Sequence, residues 1–466
     1  MACGQVAGDG TPRDAASGAP GDARSDATRD GGGPGRSDGA APDARDAAHT
    51  ADAGRDGAPT GAKDGGDAAK EGGDAEPPPS VLAIAAETNN TCALLAGGKV
   101  SCWGQSNFGG LGTGDASVAD CGASVACTTT PRAVPSLTGV TALAPGGAHF
   151  CALLPDSTVS CWGNDEDGEL GAPPATSCLC ASVPTHIPGV TGVTAISAGQ
   201  TATCAILADT TVTCWGLLEG AADPGSPAPA PVPGLVGVTS LAVGSAFACA
   251  LLSDTTVACW GLDSAGQLGI GDAGISGCPV FEGSIPCSLT PLKVPGLSGV
   301  TAIAAGAAAC ALLGDGSVMC WGDNRYGELG DGTLKGPELC AGAACSTTPV
   351  AVTGLAGATA IALGGSSTSA CAILADGTVK CWGSNGSGEL GDGKMSDATA
   401  FDGTPCATTP VSVSNLSGVT SVSVASGNAC ALLATGRVMC WGANFAGELG
   451  NGTTTGASVP VAVVGL

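Results

Sequence analysis

Apolar positions along this chain come in short bursts. From residue 80 onward, runs such as VTAIAAG at Val300–Gly306 and CALLGDGSVMCWG at Cys310–Gly322 stay apolar or small for a few positions and then break at glycine, asparagine or aspartate. Bursts of that length, bounded by turn residues, predict short β-strands. The second run recurs: six further versions begin at Cys92, Cys151, Cys204, Cys249, Cys371 and Cys430, each with a second cysteine ten residues on and Trp-Gly directly after it. All seven tryptophans (Trp103, Trp162, Trp215, Trp260, Trp321, Trp382 and Trp441) lie in this motif.

Folded as a hairpin around Gly314-Asp315-Gly316, the motif sets Leu313 opposite Ser317, Leu312 opposite Val318 and Cys310 opposite Cys320. Gly316 then takes the left-handed position of a three-residue loop. Gly98, Gly377 and Gly436 stand at the same place, but Ser157, Thr210 and Thr255 suit it poorly, so those three loops are expected to be built differently. Each repeat reads as a strand, the hairpin, a turn such as DNRYGELGDG, a variable insert and a strand ending in Gly-Leu, as in TPVAVTGL. Four short strands in roughly fifty-five residues, with a tryptophan-glycine signature, point to an all-β, seven-bladed propeller with four-stranded blades. The last strand, VPVAVVGL at Val459–Leu466, ends where Val81 would follow, so the two ends of the array are expected to meet at one repeat junction and leave no free sheet edge.

Composition sharpens this picture. The chain has 466 residues and 24 cysteines: fourteen in the motifs, nine between them, and Cys3. Directly opposed cysteines predict the bridges Cys92–Cys102, Cys151–Cys161, Cys204–Cys214, Cys249–Cys259, Cys310–Cys320, Cys371–Cys381 and Cys430–Cys440, each worth about 3 kcal/mol in the chain-entropy account. The alternative is a set of small thiols packing a sheet. Zinc is disfavoured, because a ten-residue separation inside strands is not a ligand spacing. Within the inserts, Cys121 with Cys127, Cys278 with Cys287 and Cys340 with Cys345 are expected to close small loops. Cys178 and Cys180 stand two apart, a spacing that strains a mutual bond, and Cys406 has no earlier partner in SDATAFDGTP, so it is either free or reaches another insert.

Such cysteine usage belongs to an oxidising compartment and predicts export. A net charge of −25 with no basic stripe excludes nucleic acid as a partner, and no apolar run is long enough to span a bilayer. Residues 1–79 hold no aromatic residue and have 15 acidic against 8 basic side chains, which predicts a disordered acidic tether ahead of a propeller at 80–466. Met1-Ala2-Cys3-Gly4 resembles the end of a bacterial lipoprotein signal, which makes Cys3 a candidate for lipidation and the only route to a membrane; the alternative is an incidental cysteine.

The pattern strand-Ala-Gly, Cys-Ala-Leu-Leu-x-Asp-Gly-x-Val-x-Cys-Trp-Gly-x-Asn-x-x-Gly-Glu-Leu-Gly-Asp-Gly resembles the regulator of chromosome condensation repeat family. That resemblance covers Val81–Leu466 and implies a seven-bladed propeller; for function it implies little, since such propellers share a frame and differ in partner. The founding eukaryotic member, a nucleotide-exchange factor that binds chromatin, carries a basic tail this chain lacks. A secreted bacterial propeller of similar architecture, β-lactamase-inhibitor protein II, binds a protein through loops on one face and is the nearer analogy.

Specificity is expected where the copies diverge. Before Gly-Glu-Leu-Gly the dipeptides are Asn107-Phe108, Glu166-Asp167, Ser264-Ala265, Arg325-Tyr326, Gly386-Ser387 and Phe445-Ala446. Exposed aromatics and arginine anchor interfaces, so Asn107, Phe108, Glu166, Asp167, Arg325, Tyr326 and Phe445 are candidate binding residues, with local packing on the turn as the alternative. Copy three replaces this turn with LLEGAADPGSPAPAP, a proline-rich bridge. His49, His149 and His186 have no nucleophile beside them, and NDEDGE at Asn164–Glu169 lacks the spacing of a calcium loop, so no catalytic residue, metal or cofactor is assigned. The expectation is a monomeric, exported, non-catalytic binding module on a bacterial cell surface or as an outer-membrane lipoprotein, otherwise secreted, for a protein or surface polysaccharide; the rival is an extracellular hydrolase or lyase with carboxylates around the central opening. Reduction is expected to lower the melting temperature sharply, and an unchanged melt would remove the disulfides.

Overall fold

A computed structural model describes residues 80–466 apart from 115–118, 122–125, 173–178, 219–227, 272–274, 281–282 and 395–397. The expected tether at 1–79, Cys3, Cys178 and most of the copy-three bridge lie outside the described residues. Seven antiparallel sheets follow one another along the chain, each a meander of four frame strands. In the fifth blade these are Val300–Ala305, Ala308–Leu313, Val318–Asp323 and Ala343–Ala351.

The hairpin pairs as its sequence demands. Cys310 faces Cys320 and Leu312 faces Val318, while Gly316, at φ 81°, donates to the Leu313 carbonyl. Ser157, Thr210 and Thr255 correct the expectation of differently built loops, because they adopt the same left-handed conformation at φ 61°, 67° and 65° and make the same backbone bonds. The preceding aspartate holds each of these loops: Asp156, Asp209 and Asp254 accept both the backbone N–H and the hydroxyl of Thr158, Thr211 and Thr256. Thr210 and Thr255 further accept the N–H groups of Gly237 and Gly299. Local hydrogen bonds offset the steric cost of a side chain there.

All seven motif disulfides are present, with Cα atoms 4.0–4.1 Å apart. Cys121–Cys127, Cys278–Cys287 and Cys340–Cys345 are bridged too, and Cys180 is disulfide-bonded. Three of the inserts are more than closed loops. They form hairpins whose outward limb, such as Glu338–Cys340, adds a short fifth strand to the first, fourth and fifth blades, and Ala398–Thr399 does the same in the sixth without a disulfide.

The glycine after each tryptophan has φ between 86° and 110°. In six blades the pairing with the outer strand slips at this point, a bulge. A Cβ on Gly104 would lie 2.3 Å from the Asn89 carbonyl oxygen, so only glycine fits.

The apolar core is divided among seven seams between neighbouring blades, and each seam cluster contains one of the tryptophans. The seam that joins the chain's ends is built like the rest: Ile84, Leu95 and Trp103 of the first blade pack against Leu432, Val438 and Leu449 of the seventh. No blade is shared between the two ends, and side-chain packing closes the ring.

Cys406 is buried and free. It pairs across the sheet with Ala398, as Cys345 pairs with Glu338, so the place of the missing cysteine, two residues on, is the buried Ala400. Ala400→Cys is therefore expected to form an additional disulfide with Cys406 and raise the melting temperature; a variant that keeps two titratable thiols after oxidation would contradict this register.

Candidate functional site

In a four-stranded meander the first-to-second and third-to-fourth connections emerge at one end of the blade, and the Asp-Gly hairpins at the other. The divergent dipeptides therefore all lie on one face, here called the turn face. The chain enters the propeller from the opposite, hairpin face, where the Ser80 carbonyl accepts the N–H of Ala96 beside the first hairpin loop.

A common internal scaffold holds each turn. Asp165, Asp263, Asn324, Asn385 and Asn444 accept the N–H of the leucine five residues on, at 2.8–3.1 Å. Glu169, Glu328, Glu389 and Glu448 reach back to accept the N–H two residues earlier, and Gln267 does the same in the fourth blade. The neutral glutamine shows that the position needs an acceptor and not a charge. Burial raises the pKa of these carboxyls, to about 7 for Glu169, and raises Asp263 to about 6. Within NDEDGE, Asp165 and Glu169 are thus consumed by the turn itself. Among the described residues no cluster of three His, Cys, Asp or Glu side chains is arranged to hold a metal.

Two links tie the turn to its neighbours. The indole N–H of Trp103, Trp162, Trp215, Trp321, Trp382 and Trp441 donates to a turn carbonyl of the preceding blade at 2.8–3.1 Å. Farther out, Gly114, Gly271, Gly332, Gly393 and Gly452 donate to the outer strand of the following blade. Both include the junction of the seventh blade with the first, through Trp103 to Glu448 and Gly452 to Thr129. His149, fully buried and held neutral by desolvation at a pKa of about 4, bonds Thr203 of the next blade and is a seam residue. His186 is exposed on an outer strand, and His49 lies outside the described residues.

The candidate binding residues separate on this frame. Phe445 is 78% exposed and Phe108 49% exposed, with Asn107 and Glu166 exposed beside them and Asp167 half-buried. They occupy the adjacent seventh, first and second blades. Arg325 and Tyr326 stand apart on the fifth and are engaged locally. The Arg325 guanidinium pairs with Asp323, which raises its pKa, and the Tyr326 hydroxyl donates to Asp402 of the sixth-blade insert at 2.9 Å. Phe401, next to Asp402 and fully exposed, lies at the tip of the sixth-blade insert, outside the turn dipeptides that were compared.

Phe108 is unlike its equivalents. Its φ of 56° is left-handed, a strain of about 1–2 kcal/mol for a side chain of this kind. The cause is Gly110, which stands where the other described turns have Glu or Gln, so no side chain accepts the Phe108 N–H. The amide of Asn90 fills that space and donates to Glu87, whose carboxyl burial raises well above the usual range.

The centre of the turn face is closed. In the sixth blade Cys371 follows Ile361 by ten positions, where in most blades the equivalent separation is eight, and the longer segment, Gly364–Thr368, reaches across the axis to other blades. Ser366 bonds Thr88 of the first blade and Ser426 of the seventh, Gly365 accepts from Ser245 of the fourth, and Ser367 accepts from Ala307 of the fifth. Behind it is an axial cavity of about 260 Å³ lined by Leu143, Ile196, Leu241, Ile303, Ile361, Val422 and small residues, with no carboxylate among its described lining. The length difference was a signal of this brace that motif alignment passed over.

Two family models described as regulator of chromosome condensation (RCC1) repeat match the chain, one at residues 238–267, 300–328, 359–389 and 419–448, the other at 156–206, 315–371 and 376–433. The human E3 ubiquitin-protein ligase HERC2 is 30% identical over 272 residues, 56% of this chain and 5% of that protein. The mouse probable E3 ubiquitin-protein ligase HERC4 is 32% identical over 93 residues, 20% of this chain and 8% of that protein. The chain thus spans about a twentieth of HERC2. Among solved structures, yeast RCC1 (Prp20) bound to Kap60 has a TM-score of 0.64 at 22% identity, covering 82% of this chain and 85% of that one. Human WBSCR16 has a TM-score of 0.63 at 20% identity, covering 78% and 94%. At these identities the likeness is one of fold.

The raised carboxyls set a direction for pH. Glu169 gains its proton more readily folded than unfolded, so its contribution is full below about pH 4.5 and is lost as pH rises through about 7. His149 acts oppositely: its contribution is present above about 6.5 and lost as pH falls through about 4. Glu169→Gln is expected to leave stability at pH 5 within about 1 kcal/mol of the parent and to flatten the fall between pH 5 and 9. Denaturant melts across that range with an unchanged slope would overturn the assignment.

Proposed function

Because the chain belongs to the regulator of chromosome condensation (RCC1) repeat family, we propose that it is a non-catalytic binding module that presents the turn face of its propeller to a protein partner. The observation that carries this reading is the division of labour on that face. The buried members of each turn are spent on the scaffold, while Phe445, Phe108, Asn107 and Glu166 are exposed and differ from blade to blade. Large exposed aromatics on a rigid support are the side chains that anchor protein interfaces. The solved yeast relatives point to the same kind of use: one is bound to Kap60, and the other is described by its binding to Gsp1p and histones. A surface polysaccharide is the second partner class. The enzymatic alternative requires convergent carboxylates at the centre, and the described lining of the axial cavity offers none.

We place this module outside the cell. The seven motif disulfides and the bridges in the inserts support an oxidising compartment. The finer placement, a monomer on a bacterial surface with lipid on Cys3 and residues 1–79 as spacer, rests on the Ala2-Cys3-Gly4 sequence and the composition that follows it.

A photo-crosslinking residue placed at Phe445 is expected to capture a protein in the native host, whereas one placed at Asp254 on the hairpin face is not. Equal labelling from both faces, or none from Phe445, would reject the turn face as the interaction surface.

A further inference from the structure

We propose that the docking site is the arc formed by the seventh, first and second blades of the turn face, and that its occupant is a protein segment combining basic with apolar side chains; this rests on the binding role proposed above. The arc is continuous. Gly447, two residues after Phe445, packs on Thr128–Thr129 of the first blade, and Gly109, next to Phe108, packs on Ala181–Ser182 of the second. Leu179 and Val183, both exposed, flank that last contact. Phe445, Phe108, Leu179 and Val183 thus form an apolar series along the rim, with Glu166 and Asp167 beside it.

Charge selects the occupant. Among the described residues of 443–456, 105–130 and 164–185 there is no lysine or arginine. A cationic partner therefore meets acidic side chains with no cation to repel it, whereas an acidic partner meets only like charge. The fifth and sixth blades differ, since there Arg325 and Tyr326 are already engaged by Asp323 and Asp402. Phe108 lies within this arc. The turn that lacks an acceptor at Gly110 holds this large aromatic in a left-handed conformation and half-exposed. An apolar side chain of the partner would cover it.

The test uses the full, oxidised chain as bait for a displayed library of random twelve-residue peptides. The proposal expects enrichment of peptides that carry lysine or arginine together with leucine, phenylalanine or tryptophan. Their binding should fall at least tenfold in Phe108→Gly, in Phe445→Ser and in the double reversal Glu166→Lys with Asp167→Lys, and persist in Phe401→Ser. Phe108→Gly should also melt at the same temperature as the parent or higher, because glycine relieves the left-handed strain, so loss of binding cannot be ascribed to unfolding. Enriched peptides that are acidic, or that bind Phe108→Gly normally and lose affinity in Phe401→Ser, would overturn the arc while leaving a binding role intact. Retention on dextran with no peptide enriched would replace the peptide segment by a sugar, and the absence of any ligand would overturn both readings.

Discussion

The propeller depends on one hydrogen bond repeated around the ring, from the indole N–H of each described donor tryptophan to a carbonyl in the turn of the blade before it. An indole is large enough to fill a seam, and burying it removes roughly 200 Å² from water, an upper bound on the order of 5 kcal/mol before ordering costs. Its single polar atom must then find a partner or carry a desolvation penalty. The turn carbonyl supplies that partner, and the following glycine of the turn must stay bare: a Cβ on Gly330 or Gly450 would come within 3.0 Å of an indole. Tryptophan and the Gly-Glu-Leu-Gly turn are therefore two halves of one contact made across a blade boundary.

Closure follows from the same contact. The first and last blades share no strand, and the Trp103 to Glu448 bond is the seventh-to-first instance of the general link. The disulfides act at a different level. Each motif bridge ties two adjacent strands of one blade, which limits the unfolded state of that blade without crossing a seam. Blades are thus covalently stapled within and joined by packing, backbone bonds and indoles between. The brace at Gly364–Thr368 adds a polar tie at the axis that touches the first, fourth, fifth and seventh blades.

That rigid frame explains how the turn face can vary. Asp or Asn at the turn's start, Glu or Gln at its end and glycine between fix the backbone, leaving two positions free in each copy. Where one of these fixed partners is replaced, as by Gly110, the backbone changes with it and Phe108 is re-aimed. Divergence of the exposed dipeptides and repetition of the fold-forming contacts are thus physically separable, which is why the repeat pattern specifies the frame more closely than a partner.

The sequence alone determined the repeat number, the strand order, the hairpin register and the motif disulfides. Each of these depends on contacts between residues near in the chain, where alternation, turn chemistry and a ten-residue cysteine spacing favour one arrangement over packed thiols. The same local reasoning underestimated Ser157, Thr210 and Thr255, because it weighed the steric cost of φ without the preceding aspartate, which ties the loop to the residue that follows. Tertiary structure decided what lies across blades. It showed that the glutamates of the turns are buried acceptors, that Arg325 and Tyr326 are engaged while Phe108 and Phe445 are free, and that two extra residues in the sixth blade close the channel. Those outcomes depend on which side chains the ring brings together from copies about fifty or more residues apart, and no spacing within a single repeat encodes them.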